Sequence, residues 1–196
     1  VDSKASDRYV PAAARSVKIL VLGPFAVGKT TYVRSVSEIR PMRTEERMTR
    51  AGELIDDLGD LREKTTTTVA MDFGRLTLAG DIVLYLFGAP GQPRFRGMVR
   101  SLMEGALGGL VLADTRRLDQ SFEAIDLLED ARLPYTVAIN TFDGAPAYGD
   151  AELRDALTLD PGTPLVLLDA RDRASSVQGL VTLVSHILAR PDLEPV

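Results

Sequence analysis

Short apolar runs recur along the chain, separated by polar or mixed stretches. Residues 17–22 (Val-Lys-Ile-Leu-Val-Leu) are mostly apolar, the pattern of a strand covered on both faces. The spacing after them predicts a helix over 29–39, stopped by Pro41. Residues 69–78 alternate weakly and read as a strand. Residues 82–87 read as the next one, and Gly80-Asp81 between them is a tight-turn signal. These two strands form an antiparallel hairpin. Residues 88–96 are a Gly/Pro-rich loop. Strands follow at 109–113, 135–139 and 165–168. Helices follow at 119–131, with Asp119 as N-cap, at 150–157 and at 177–189. Strands that alternate with helices predict an α/β domain with a mainly parallel sheet.

Two stretches lack this rhythm. Residues 1–15 read as a loose arm. Residues 42–64 are charge-dense, arginine-rich first and acidic over 53–60, with a helix expected over 51–61. The connection 38–67 is long, and long connections tend to be functional.

At 196 residues the chain is one domain with a core of its own, and its apolar and charged fractions, 45% and 26%, are ordinary for a globular protein. The net charge of −5 argues against a general nucleic-acid binder. The absence of cysteine excludes disulfides, cysteine zinc sites, thiol catalysis and prenyl or palmitoyl anchors. No apolar run approaches the ~20 residues of a membrane helix, so no direct membrane anchor is expected and a cytoplasmic location is the expectation. Only Lys4, Lys18, Lys29 and Lys64 are lysines among 23 basic residues. A lysine kept in such a chain marks a position that needs one.

Lys29 stands in such a place. Gly23-Pro24-Phe25-Ala26-Val27-Gly28-Lys29-Thr30 fits G-x-x-x-x-G-K-[ST] between a predicted strand and a predicted helix. The backbone N–H groups of such a loop point at phosphate oxygens, and the helix N-terminus adds its positive end. Lys29 would reach the β- and γ-phosphates, and the Thr30 hydroxyl would bind Mg²⁺.

Four further segments narrow the nucleotide and the reaction. Thr68, at the start of the strand in Lys64–Phe73, can put its hydroxyl on Mg²⁺ and sense the γ-phosphate. In Phe87-Gly88-Ala89-Pro90-Gly91-Gln92, the Gly91 N–H can meet the γ-phosphate and Gln92 can orient the attacking water. Asn140-Thr141-Phe142-Asp143 ends the strand 135–139. Asp143 there can accept from N1–H and the 2-amino group of guanine, donors that adenine lacks. Asp169-Ala170-Arg171 follows the next strand and offers the Ala170 N–H to guanine O6.

With five nucleotide segments in this order between Gly23 and Arg171, the sequence resembles the Ras-like small GTPases. The stretch from Thr68 to Phe73 resembles the family's T-x-G-x-D-F, with Ala70 for glycine. Gly-Pro opening the phosphate loop, Lys29-Thr30-Thr31 and Pro90-Gly91-Gln92 resemble the bacterial MglA-like branch, and within it the conservon small GTPases of actinobacteria. The resemblance implies a P-loop, Ras-like G domain over 16–190: a mainly parallel six-stranded sheet with one antiparallel edge hairpin, flanked by helices. It implies a first switch over 38–67, a second over 88–100 and a tail at 191–196. It implies a GTP/GDP switch that uses Mg²⁺, and as partners a roadblock-type regulatory protein and a sensor-kinase-like protein. Membrane contact would come only through such partners.

Several residues depart from the pattern. Gly88 replaces the aspartate that supports Mg²⁺, and Thr141 replaces the lysine of N-K-x-D. Phe25 is bulky beside the γ-phosphate, and Pro93 stiffens the second switch. Arg62, Arg94 and Arg96 are candidates to face the γ-phosphate. Two other readings stay open: a nucleotide-binding module with negligible hydrolysis, and an ATP-using P-loop kinase or ATPase.

Overall fold

The computed structural model describes residues 15–48, 67–78 and 82–190. Its centre is a seven-stranded sheet of order β2-β3-β4-β1-β5-β6-β7. The strands are β1 (Arg15–Leu22), β2 (Met42–Met48), β3 (Thr67–Thr77), β4 (Ile82–Gly88), β5 (Ala106–Ala113), β6 (Tyr135–Asn140) and β7 (Leu165–Leu168). β1 runs parallel to β4 and β5, and β6 lies parallel between β5 and β7. β3 pairs antiparallel with β4 and with β2.

The mainly parallel α/β architecture is the expected one, and the six expected strands and their hairpin are present. The addition is β2. Its sequence, Met-Arg-Thr-Glu-Glu-Arg-Met, carries no apolar alternation, so its pairing with β3 supplies what its pattern does not announce. The hairpin therefore lies one strand inside the edge.

Alternation along β1 divides the interior in two. Ile19 and Val21 join Tyr32, Val33, Val36, Leu180 and Leu183 on the side of α1 (Lys29–Val36) and α5 (Arg173–Leu188). Leu20 and Leu22 face the other side, with α2 (Arg96–Met103), α3 (Phe122–Asp130) and α4 (Asp150–Ala156). Every residue of β6 is buried, as a strand between covered faces should be.

Helix boundaries depart from the sequence pattern for local reasons. α1 stops at Val36 rather than near Pro41. The Ser37 hydroxyl donates to Ile39 O (2.8 Å) and accepts from Arg75 N–H (3.2 Å), which turns the chain toward β3. α2 falls where only a loop is expected. Its buried Val99 and Met103 are four apart on one face, a stripe too short to stand out beside the Gly/Pro loop. Asp119 does not cap α3: residues Leu118–Ser121 form a 3₁₀ turn and α3 starts at Phe122. α5 starts at Arg173 because the Asp172 carboxylate accepts from Ser175 N–H at 2.6 Å. The expected helix over 51–61, the Gly80-Asp81 turn, most of the arm, the tail and Arg62 lie outside the described residues.

Candidate functional site

Four of the five predicted segments converge at one edge, because each of the four follows the carboxyl end of a strand; Thr68 instead lies at the start of β3. The phosphate loop follows β1, residues 89–92 follow β4, 141–143 follow β6 and 169–171 follow β7. In open α/β sheets this is where ligands bind.

The loop from Gly23 to Gly28 turns through Ala26 (φ 62°) and Gly28 (φ 106°) into α1. Gly28 is the helix N-cap, and its left-handed φ suits glycine. A Cβ there would also stand 2.6 Å from Asn140 Nδ2. No acidic residue lies in the first turn of α1 to oppose an anion. Phe25, Ala26, Gly28, Lys29, Thr30 and Thr31 line an open cleft together with Asp72, Gly88, Gly91, Gln92 and Arg94.

Lys29 Nζ donates to Gly23 O (2.7 Å) and Pro24 O (2.6 Å), folded back over its own loop. Burial lowers its pKa to about 8, against the opposing pull of Asp72. Thr30 Oγ1 donates to Asp72 Oδ2 at 2.5 Å. Asp72, which the motif reading does not single out, lines the same cleft. It lies on β3 directly opposite Gly88 on β4, the position where the aspartate is missing. A Cβ on Gly88 would come 3.1 Å from Asp72 Cβ. The carboxylate beside Thr30 is thus supplied from the neighbouring strand, and glycine at 88 leaves room for it. The signal was legible: Asp72 closes the T-x-x-x-D-F string, and the hairpin register pairs it with Gly88. Thr68 lies on the same strand, opposite Arg47.

Gln92 caps the cleft on the second-switch side. Its Oε1 is buried and has no hydrogen-bond partner among the described residues. Phe25 lines the cleft and is 64% exposed. Arg94 stacks on Phe95, 4.9 Å from the ring centre, and Arg96 opens α2.

The base-side loops are joined by Asn140, which is 4% exposed. Its Nδ2 donates to Val27 O (2.9 Å), and its Oδ1 accepts from Ala170 N–H (2.9 Å). The Ala170 amide, expected at guanine O6, is therefore committed to Asn140: one hydrogen serves one strong acceptor. Thr141 points away, donating through Oγ1 to Leu168 O (3.1 Å). Asp143 is exposed and meets Arg171, whose hydrogen bonds hold its carboxyl below the usual range.

A second group was not expected. Asp114, fully buried at the end of β5, accepts from Arg116 Nη2 at 2.7 Å and lies 3.6 Å from Arg117. Arg116 stacks 4.2 Å from the centre of the Phe142 ring. Arg117 donates to Phe25 O at 3.4 Å. One carboxylate thus braces both the phosphate loop and the 140–143 loop. Nothing but adjacency in sequence marked these three residues.

Among the described residues no three His, Cys, Asp or Glu side chains converge on a metal position. Thr30 and Asp72 supply hard oxygen donors, a set that fits Mg²⁺ when phosphate oxygens and water complete it.

The fold and the phosphate loop define a P-loop nucleotide-binding protein. The chain belongs to the family described as conserved hypothetical ATP binding protein, which it matches over residues 21–190. No curated protein matches the sequence. Among solved structures it is similar to the cytosolic domain of the *T. maritima* FeoB iron transporter, with TM-score 0.64 and 18% identity over 93% of this chain and 67% of that one. It is similar also to the FeoB G-domain of *Methanococcus jannaschii*, with TM-score 0.58 and 15% identity over 90% of this chain and 99% of that one. These likenesses show the fold, that of a G domain.

Two predictions follow from the cleft. A bound triphosphate needs Lys29 charged, whereas burial favours its neutral form above pH 8 in the free protein. Nucleotide affinity should therefore fall as pH rises through about 8, and binding should take up close to one proton above that pH and none well below it. Calorimetry in buffers of different ionisation enthalpy reads this directly. Lys29's own effect on stability has the opposite slope. With a folded pKa below the unfolded 10.5, its contribution rises with pH between about 8 and 10.5.

The second concerns the relocated carboxylate. Asp72→Ala should raise the Mg²⁺ concentration needed to retain nucleotide by roughly ten- to a hundredfold, the usual cost of losing an outer-shell partner. The double variant Asp72→Gly/Gly88→Asp should recover most of that loss, because it returns one carboxylate to the same gap. Mg²⁺ titration of nucleotide retention by both variants checks this.

Proposed function

We propose that the protein is a Ras-like switch that binds GTP with Mg²⁺ and hydrolyses it slowly to GDP. The observation that carries this reading is the Asn140 side chain bridging Val27 O and Ala170 N–H. It fixes the 140–143 loop to the phosphate loop, so that Asp143 stands at a set distance from the phosphates. An ATP site has no use for an acceptor-only carboxylate there, because adenine offers it no N1–H and no 2-amino group. The family's description names ATP, and the FeoB domain of *T. maritima* was solved in a GDP form. The chemistry of Asp143 favours the guanine ligand.

The chain's residues divide the work. Lys29 exchanges its two loop carbonyls for β- and γ-phosphate oxygens. Thr30, with Asp72 beside it, would hold Mg²⁺, which would supply neutralisation of phosphate charge. Thr68 and the Gly91 N–H report the γ-phosphate. Gln92 Oε1, a buried acceptor without a donor, accepts from the attacking water. Slow turnover follows from charge: among the described residues Arg94 lies on Phe95 and Arg117 donates to Phe25 O, so neither guanidinium is committed to the γ-phosphate. An activating partner would supply or press in the missing guanidinium. The resemblance to conservon GTPases names a roadblock-type protein and a sensor-kinase-like protein for that signalling complex, with any membrane contact made through them. Among the described residues no helix is long and apolar enough to cross a membrane.

Competition against fluorescent mant-GDP tests the base. GTP and GDP should displace it and ATP should not, and Asp143→Asn should shift preference toward xanthine nucleotides, whose 2-oxo group accepts a hydrogen bond. Equal competition by ATP overturns the guanine reading.

Turnover tests the switch. Unassisted hydrolysis should run at or below ~10⁻⁴ to 10⁻³ s⁻¹. Gln92→Leu should abolish partner-stimulated hydrolysis with little change in nucleotide affinity. Single-turnover phosphate release distinguishes this from a module that binds without hydrolysing.

A further inference from the structure

The carboxylate that would read the base already holds a ligand of its own. Arg171 Nη1 donates to Asp143 Oδ2 and Arg171 Nη2 to Asp143 Oδ1, each at 3.2 Å. Two N–H groups of one planar cation thus meet the two oxygens of one carboxylate. The N1–H and 2-amino groups of guanine form the same planar two-donor fork. Both forks approach the carboxylate end-on and take the same inward-facing lone pair of each oxygen, so they compete for Asp143.

Asp169 keeps the arginine in place from the other side. Arg171 Nε donates to Asp169 Oδ1 (2.9 Å), Nη2 to Oδ2 (2.8 Å), and the Arg171 backbone N–H to Oδ1 (2.8 Å). Released from Asp143, the guanidinium would still be tethered to its own loop, within reach of the carboxylate it left. Both side chains are exposed, 58% for Arg171 and 88% for Asp143, so nothing buries the contact or prevents its opening.

We propose that Arg171 is an internal competitor for the base subsite: it occupies Asp143 in place of guanine, and its return to Asp143 sets the affinity and release rate of guanine nucleotides. This rests on the guanine reading above. An exposed ion pair is modest, so the effect is a tuning of up to about fivefold rather than a block. Arginine suits the role better than lysine, because an ammonium is a point donor and cannot reproduce the fork.

The test uses the purified chain with mant-GDP and mant-ADP, comparing wild type, Arg171→Ala and Arg171→Lys. Arg171→Ala should bind mant-GDP about three- to fivefold more tightly and release it more slowly by a similar factor. Arg171→Lys should show most of that gain. The gap between wild type and Arg171→Ala should close as NaCl rises from roughly 0.05 to 1 M, where the Debye length shrinks to about 3 Å. Unchanged or weaker binding by Arg171→Ala overturns the proposal, since Arg171 would then be neutral or a helper of the base. A gap insensitive to salt overturns it as well. Wild-type protein that takes mant-ADP as readily as mant-GDP removes the guanine reading and this proposal with it. Wild-type protein selective for mant-GDP, with no gain in Arg171→Ala, removes this proposal alone.

Discussion

The nucleotide edge depends on one buried amide. Asn140 ends β6 inside the sheet, and its side chain reaches two loops that are far apart in sequence. Its N–H₂ group satisfies Val27 O and its oxygen satisfies Ala170 N–H. Both backbone groups would otherwise be buried without partners, at a cost of about 1–3 kcal/mol each. A hydrophobic residue of the same size would leave both unpaired. The bond set therefore fixes the phosphate loop, the base loop and the 169–171 loop as one rigid unit before any ligand arrives.

The Mg²⁺ side of the cleft obeys a different constraint, that of space between paired strands. Asp72 and Gly88 are direct cross-strand partners, close enough that two side chains would crowd the gap and two carboxylates would repel. One carboxylate therefore fits, on either strand. Thr30 Oγ1 finds it on β3. The loss at position 88 and the aspartate at 72 form a single feature. A charge count alone reads Gly88 as the loss of a carboxylate, whereas the register sets the carboxylate of Asp72 in the same gap.

Much of this was legible in the sequence, and the remainder shows what a single chain conceals. The phosphate loop declared itself because its spacing and its strand–helix context are both demanding. Asn140 and Asp143 gained meaning only from their order after it. Asp72 required the hairpin register, a tertiary fact that the Gly80-Asp81 turn implied without stating. β2 was hidden because Arg43, Glu45, Glu46 and Arg47 erase the alternation on which strand reading relies. α2 was hidden because only two of its eight residues, Val99 and Met103, are buried anchors. The Asp114–Arg116–Arg117 group left no trace, since a buried carboxylate beside two arginines looks like any solvated charge run until burial is known.

The arginine bias takes on meaning at this edge. Each tie here that needs a planar, permanently charged group uses arginine: Arg116 stacks on Phe142 while paired to Asp114, and Arg171 forks two carboxylates. A guanidinium keeps its proton at any working pH, so these ties hold the loops together at constant strength. Lys29 is the exception, and it sits where the planar fork has no advantage. Several phosphate oxygens around one compact donor call for a point charge that can swing from its loop carbonyls to the ligand. Its buried ammonium is also the one cation at the site that can shed its proton near neutral pH. Permanent charge and titratable charge are thus assigned to different cations, and the chain's avoidance of lysine elsewhere leaves that division visible.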